Sequence, residues 1–209
     1  MELILTLDVG TTSVKACLFD RRLRQTALTS REYALRTHGV CAEAEPQIYL
    51  DAAAQCILSL PAEARARVCA VALTTQGETL ICVDRQGRAL RPAIVWLDSR
   101  AEAQAARLAA VLDRQRFYER TGLPELSGAL PLAKLLWLRE QEPEIWAQTD
   151  KFLLLEDYLM LWLTGRAVTE KSLLTSTGYF DLQSDDYWDE ALALAELDRT
   201  RLPQALACG

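Results

Sequence analysis

Two apolar runs with a polar interval between them open the chain. Residues 3–7 (Leu-Ile-Leu-Thr-Leu) and 14–19 (Val-Lys-Ala-Cys-Leu-Phe) are apolar, β-prone runs separated by Asp8-Val9-Gly10-Thr11-Thr12-Ser13. That spacing predicts a hairpin with a polar, glycine-containing turn. Residues 25–35 alternate loosely and predict a third strand of the same antiparallel meander, reached through a turn at 20–24. Residues 38–46, with Gly39 and Pro46, read as an irregular acidic loop, and residues 48–60 as a helix that Pro61 ends. Two compact apolar runs of strand length follow at 68–73 and 80–83, the second closed by a tight turn at 84–87. Residues 91–100 read as an approach, a short buried strand and a polar terminus.

Beyond residue 100 the period becomes helical. Helices are predicted at 100–111, with capping from Asp98 or Ser99, at 132–140, at 152–163 with Gly165 as the stop, around 169–175, and at 187–197. The tail at 202–209 contains Pro203 and reads as ending without a closing strand. Strands first and helices afterwards, with a helix also between strands, indicate an α/β fold with a mixed β-sheet flanked by helices.

Composition narrows the classes of function. A chain of 209 residues, half of them hydrophobic and a quarter charged, is long enough for one large domain or two small ones. A net charge of −6 argues against a nucleic-acid or anionic-membrane surface and for a small molecule or another protein as partner, with a homodimer left open. None of the six cysteines forms a Cys-x-x-Cys pair, and Cys17, Cys69 and Cys82 lie in apolar runs, which predicts reduced core thiols in a cytoplasmic protein. Asp8 interrupts the first apolar run, so a signal peptide is not expected. Residues 152–163, the longest apolar candidate, include Glu156 and Asp157 and are too short to span a membrane. His38 is the one histidine and reads as a solvated loop residue, so neither a Ser-His-Asp nor a Cys-His arrangement is expected.

The first turn carries the candidate chemistry. Gly10 lets the backbone approach a ligand without a Cβ in the way, Thr11 and Thr12 can donate to phosphate oxygens, and Asp8 can hold a hydrated Mg²⁺ facing them. No Gly-x-x-x-x-Gly-Lys-[Ser/Thr] occurs, so the pattern is not of the Walker type. Asp, Gly, Thr and Ser are also ordinary turn residues, and a plain hairpin turn stands as the other reading.

Three stretches resemble the FGGY family of carbohydrate kinases in its N-terminal half: Asp8-Val-Gly-Thr-Thr-Ser-Val-Lys15, Val71-Ala-Leu-Thr-Thr-Gln-Gly-Glu-Thr79 with Asp84 and Gly87 after it, and Pro92-Ala-Ile-Val-Trp-Leu-Asp-Ser-Arg100. Fainter echoes run through Thr121-Gly122-Leu123-Pro124, Lys134 with Trp137, and on to Pro203. The resemblance implies a ribonuclease H-like, actin-like ATPase fold and ATP-dependent phosphorylation of a sugar or polyol hydroxyl, with ATP and Mg²⁺. It places Asp8 at the metal and γ-phosphate, Gly10, Thr11 and Thr12 along the phosphate path, and Lys15 at a basic position that suits either phosphate contact or a surface. It assigns Gln76, Gly77, Glu78, Trp96, Asp98 and Arg100 to the substrate side. Glu78 would contact a sugar hydroxyl, Trp96 would pack on its carbon face or serve as a core residue, and Asp98 and Arg100 would buttress the pocket as an ion pair.

Departures bear on substrate and activity. Gly77 stands where the glycerol-kinase pattern has arginine, Ala129 where it has tyrosine, and the Met-His pair similar to xylulokinase is lacking around residues 76–79. The loss of two large side chains implies room for something longer than glycerol. The family's general-base aspartate is expected beyond Gly209, so residues 1–209 would form the N-terminal domain, without the C-terminal ATPase domain and with no catalytic base. A non-catalytic sugar-binding or regulatory domain of this fold and an actin-like ATPase unrelated to sugars are the alternatives. A nuclease of the same fold suits the sequence least, because Asp8 lacks an evident carboxylate partner.

Overall fold

The computed structural model describes residues 2–207. In chain order the elements are β1 (Leu3–Val9), β2 (Ser13–Asp20), β3 (Gln25–Glu32), β4 (Arg36–His38), β5 (Cys41–Ala44), α1 (Pro46–Ser59), α2 (Ala62–Arg65), β6 (Val68–Thr75), β7 (Leu80–Val83) and β8 (Ala93–Ile94). There follow α3 (Glu102–Val111), α4 (Arg114–Thr121), α5 (Pro131–Gln141), α6 (Pro143–Gln148), β9 (Lys151–Leu154), α7 (Leu155–Thr164), β10 (Val168–Glu170) and α8 (Lys171–Leu174). The chain closes through β11 (Phe180–Asp181), β12 (Asp186–Tyr187), α9 (Asp189–Leu194) and β13 (Gln204–Leu206). Two compact units divide it: one comprises the residues up to Leu35 with Ala44–Gln76, the other Arg36–Glu43 with the residues from Gly77 onward.

In the first unit the predicted meander forms as a sheet of order β3-β2-β1-β6, with β1 antiparallel to β2 and parallel to β6. Strict period-2 alternation explains why β1 occupies the interior: Leu3, Leu5, Leu7 and Val9 are buried, while Ile4, Thr6 and Asp8 point to the other face and are half-buried. The amphipathic helix α1 covers the apolar face with Tyr49, Leu50, Ala53 and Cys56. The strand runs two residues further than its apolar core suggests, so Asp8 and Val9 are paired and the turn shrinks to Gly10-Thr11-Thr12.

In the second unit a five-stranded sheet of order β4-β5-β8-β7-β9 packs against a mainly helical layer. The core there is built on Leu80, Cys82, Ile94, Leu132, Leu135, Leu138 and Phe152, together with Phe117 and Trp188. Short ladders β10-β13 and β11-β12 hold the last segments.

Several expectations are corrected. Residues 38–46 are not an irregular loop: β4 and β5 form a hairpin around Gly39, whose φ of 57° suits the turn. Lys151–Leu154 is a strand beside β7, and the helix starts only at Leu155, where Asp157 caps the backbone of Leu154. A continuous apolar run cannot by itself separate a buried strand from the helix that follows it. The helix expected around 169–175 is strand β10 plus one helical turn, the one expected at 187–197 is only Asp189–Leu194, and the tail does contain a closing strand, β13. Neither Asp98 nor Ser99 caps α3, since Ala101 holds that position and makes no side-chain cap. The short helices α2, α4 and α6 lie where the sequence pattern predicts none. Cysteines 56 and 82 are buried, Cys17 and Cys41 half-buried, and Cys69 is exposed because β6 is an edge strand; these five are free thiols, and Cys208 lies outside the described residues. No helix among the described residues is long and apolar enough to cross a membrane.

Candidate functional site

Asp8 and Lys15 are partners in the β1-β2 register, so their side chains share one face of the sheet. Lys15 Nζ lies 3.8 Å from Asp8 Oδ2, and both side chains are about half exposed, at 54% and 51%. The Gly10 N–H donates to Ser13 O at 3.0 Å and closes the turn. A Cβ at Gly10 would meet nothing nearer than Ser13 O at 3.6 Å, so the fold itself does not demand glycine there.

Tyr33 braces the same turn twice. Its N–H donates to Thr12 O at 2.9 Å and its hydroxyl donates to Gly10 O. Its ring stands edge-on to that of Tyr49, centroids 5.2 Å apart, and Tyr49 in turn accepts a hydrogen bond from Gln76 Nε2 at 3.2 Å. Gln76 N–H donates to Val9 O at 3.0 Å, which fixes the end of β6 against the end of β1. Burial pushes the Tyr33 and Tyr49 phenols upward, Tyr49 to about 12. Both therefore stay neutral at any physiological pH. Tyr33 and Tyr49 lay outside the sequence expectations, because an aromatic in a loosely alternating segment reads as ordinary packing.

In the second unit Glu78, Trp96, Asp98 and Arg100 are brought together, with Lys134 between them. Glu78 is half-buried at a φ of 60°. Burial raises its carboxyl above the usual range, and the Lys134 ammonium pulls it back. Trp96 is 39% exposed, which removes the core reading of that residue. Its N–H reaches Thr79 Oγ1 at 3.3 Å. Asp98 has no exposed surface: it accepts from Ala42 N at 2.6 Å and from the Arg100 backbone and guanidinium at 2.7–3.0 Å. Burial would raise its pKa, but these bonds outweigh burial and hold it below the usual carboxylate range. Arg100 also pairs with Glu43 at 2.8 Å and stacks over Trp137 at 4.9 Å. Glu43 extends the network to Arg91, and Arg91 to Glu142. Asp98 and Arg100 form the ion pair expected of them, and neither side chain offers an open face to a ligand. Gly77 lies at the start of this unit, where a Cβ would meet Ser176 Oγ at 3.5 Å.

A groove of about 730 Å³ elsewhere in this unit is lined by Lys151, Lys171, Asp186, Tyr187 and Arg199 and shares no residue with these. Its Lys171 and Arg199 are paired with Asp185 and Asp186. Among the described residues no cluster of three or more His, Cys, Asp or Glu could hold a metal by itself.

Residues 3–208 match the N-terminal domain of the FGGY family of carbohydrate kinases. The chain is 31% identical over 211 residues to a xylulose kinase of Lactococcus lactis subsp. lactis, covering 99% of this chain and 42% of that protein. It is 33% identical over 218 residues to a glycerol kinase of Methylobacterium nodulans, covering 97% of this chain and 42% of that protein. A crystal structure of a xyloylose kinase from Brucella ovis superposes with a TM-score of 0.92 at 30% identity, over 98% of this chain and 43% of that one. The chain therefore spans less than half the length of the relatives it matches. Its mixed α/β architecture is that of the actin-like ATPase fold those kinases share. The chain belongs to the FGGY family of carbohydrate kinases, whose N-terminal domain it matches along nearly its full length.

Proposed function

We propose that this chain serves the ATP-dependent phosphorylation of a sugar or polyol hydroxyl and forms the N-terminal domain of such a kinase. Asp8 is the group for Mg²⁺, while Gly10, Thr11 and Thr12 border the phosphates and Lys15 adds positive charge beside them. A single half-exposed carboxylate suits this metal, which keeps most of its waters and is held by one or two carboxylates plus phosphate oxygens. Bound MgATP would supply the phosphoryl group and neutralise charge on it. The chain's own part is to orient phosphate oxygens by turn amides and hydroxyls.

Gln76, Gly77, Glu78 and Trp96 are proposed as substrate residues. Glu78 takes a sugar hydroxyl and Trp96 offers its exposed face to the carbon skeleton, while Asp98 and Arg100 hold the Trp96 segment in place. Gly77 and Ala129 are small where glycerol-specific patterns carry larger side chains, which favours a substrate longer than glycerol, such as a five-carbon ketose or polyol. Five free thiols suit a cytoplasmic setting.

The observation that supports the reading best is the β1-β2 turn: a half-exposed Asp8 beside a glycine that the fold does not require. Calorimetric titration with glycerol, xylulose and a panel of aldoses and polyols tests it. Saturable binding of at least one, weakened by Glu78→Gln and by Trp96→Ala, is expected; no binding by any would sink the substrate assignment.

A further inference from the structure

Lys134 lies within α5 among Leu132, Ala133, Leu135 and Leu136, and it has no exposed surface. A lysine in such a position is costly to bury, and a leucine or methionine would fill similar space without desolvating a charge. Its ammonium donates to two backbone carbonyls, Glu78 O and Val95 O, each at 3.1 Å. Neither acceptor sits in a regular ladder. Glu78 is in the connection between β6 and β7, at a φ of 60° that L side chains adopt only against steric resistance. Val95 follows β8, and its carbonyl also accepts the Asp98 N–H at 2.9 Å, forming the turn that presents Trp96. A second cross-link, from Trp96 N–H to Thr79 Oγ1, runs beside the first.

We propose that Lys134 is a positioning residue for the substrate site: its ammonium ties the Glu78 backbone to the Val95–Trp96 turn. It thereby fixes the separation between the Glu78 carboxylate and the Trp96 ring. The labelling of these two side chains as sugar contacts rests on the proposed function; the tie itself does not. The geometry calls for a long-chain donor rather than a packing residue, because one amino group bridges two carbonyls on different segments: Glu78 O, outside any helix or strand, and Val95 O, which it shares with the Asp98 N–H. The groups facing it are Asp98 and Glu78, which stabilise its charge, and Arg100, which opposes it. Burial outweighs the two carboxylates and lowers the lysine to about 8. Above that pH the amine loses its charge and its two bonds lose their charge assistance, so the tie slackens between pH 7 and 9.5.

The test follows the Trp96 indole and Glu78 amide signals by two-dimensional NMR on the 209-residue chain, with Trp96→Phe to assign the indole among five tryptophans. In wild type both signals are expected to titrate with a midpoint near 8. In Lys134→Met they should shift or broaden at pH 7 and lose that titration, while the Trp146 and Trp162 indoles stay in place. A folded Lys134→Met protein with unmoved Glu78 and Trp96 signals overturns the proposal, and so does a wild type with no transition near pH 8. Should that variant fail to fold, Lys134→Gln, which keeps a donor on a shorter side chain, takes its place in the same comparison of Glu78 and Trp96 signals. A parallel calorimetric arm uses xylulose and glycerol as probes, with affinity expected to fall about tenfold in Lys134→Met. If wild type binds and the variant binds within twofold, the positioning role is refuted. If wild type binds neither probe, the substrate assignment fails, and the NMR signals still judge Lys134.

Discussion

Two residues separate what the fold needs from what a ligand needs. Gly10 has no left-handed backbone to justify it, and its nearest obstacle to a Cβ is 3.6 Å away. Gly10→Ala should therefore leave stability within about 0.5 kcal/mol, the range of an uncommitted surface substitution, while weakening any phosphate ligand that approaches the turn. Urea denaturation together with MgATP or phosphate titration checks this, and a drop in stability of several times that size would return Gly10 to a structural role. Gly128 is the opposite case: a Cβ there would meet Glu102 N at 2.6 Å, so that glycine belongs to packing against the start of α3. Glu78 is strained in the other direction. Its φ of 60° costs an L residue roughly 1 kcal/mol, and its carboxyl is held half-buried with a raised pKa. Glu78→Gly should keep or raise the melting temperature by a few degrees and abolish sugar binding. A clear loss of stability in that variant would mean that the Glu78 side chain is there for packing.

Among the elements, α7 carries a proton-linked stability term at its first turn. Asp157 is almost fully buried, accepts from Leu154 N at 2.7 Å, and faces Glu156 and Glu170. Burial pushes its carboxyl up to about 7 from an ordinary value of 3.8, and Glu156 is likewise raised to about 7 by burial and by Glu170. A folded-state pKa above the unfolded one means that folding takes up a proton. The associated stability is complete below pH ~4, and it is lost as pH rises from ~4 through ~7. Asp157→Asn keeps an acceptor for Leu154 N without the charge. Its stability should fall less than that of wild type between pH 5 and pH 8, as measured by chemical denaturation; parallel curves would show that Asp157 does not titrate in that window. The same helix shows what was legible in the sequence. The meander could be read because residues 3–7 and 14–19 are apolar, β-prone runs on either side of a polar, glycine-containing turn, and α1 because Pro46 and Pro61 bracket it. The start of α7 could not be read from apolar periodicity, since Phe152, Leu153 and Leu154 continue the same run as a strand; the signal was Asp157, three residues past the cap. The β4-β5 hairpin escaped because Arg36-Thr37-His38 is polar, short and exposed. For α4 the signal lies in its two ends rather than its period: Asp113 caps its first turn and Gly122, at a φ of 74°, ends it. Of the residues proposed for the site, Asp8, Glu78 and Trp96 stand out through motif spacing. Lys134 stands out beside Trp137 in the same resemblance, but its role does not, because a lysine in an apolar helix gives no sign of which carbonyls it will meet.

At the scale of the whole molecule, the matched relatives are more than twice as long as this chain, so turnover and binding need not be carried by the same residues. Phosphoryl transfer needs an acceptor hydroxyl in line with the γ-phosphate, charge neutralisation by Mg²⁺, and a base for the hydroxyl proton. The proposed assignments give this chain the first two in part: Glu78 and Trp96 for the acceptor, Asp8 and the β1-β2 turn for the metal and phosphates. They give it no base, since Asp98 is sealed by Arg100 and Ala42 and Glu78 is assigned to holding a hydroxyl. A general base contributes about 10²- to 10⁴-fold. Exclusion of water on closure over the substrate strengthens every electrostatic contact further. The 209-residue chain should therefore bind sugar weakly and show no sugar-dependent ADP release above background in a coupled assay. If such release is seen, and Asp8→Asn abolishes it, then a base lies within these residues. The carboxylate to test next would be Glu78, which is half-buried, held above the usual carboxylate range by burial, and already assigned to the acceptor side.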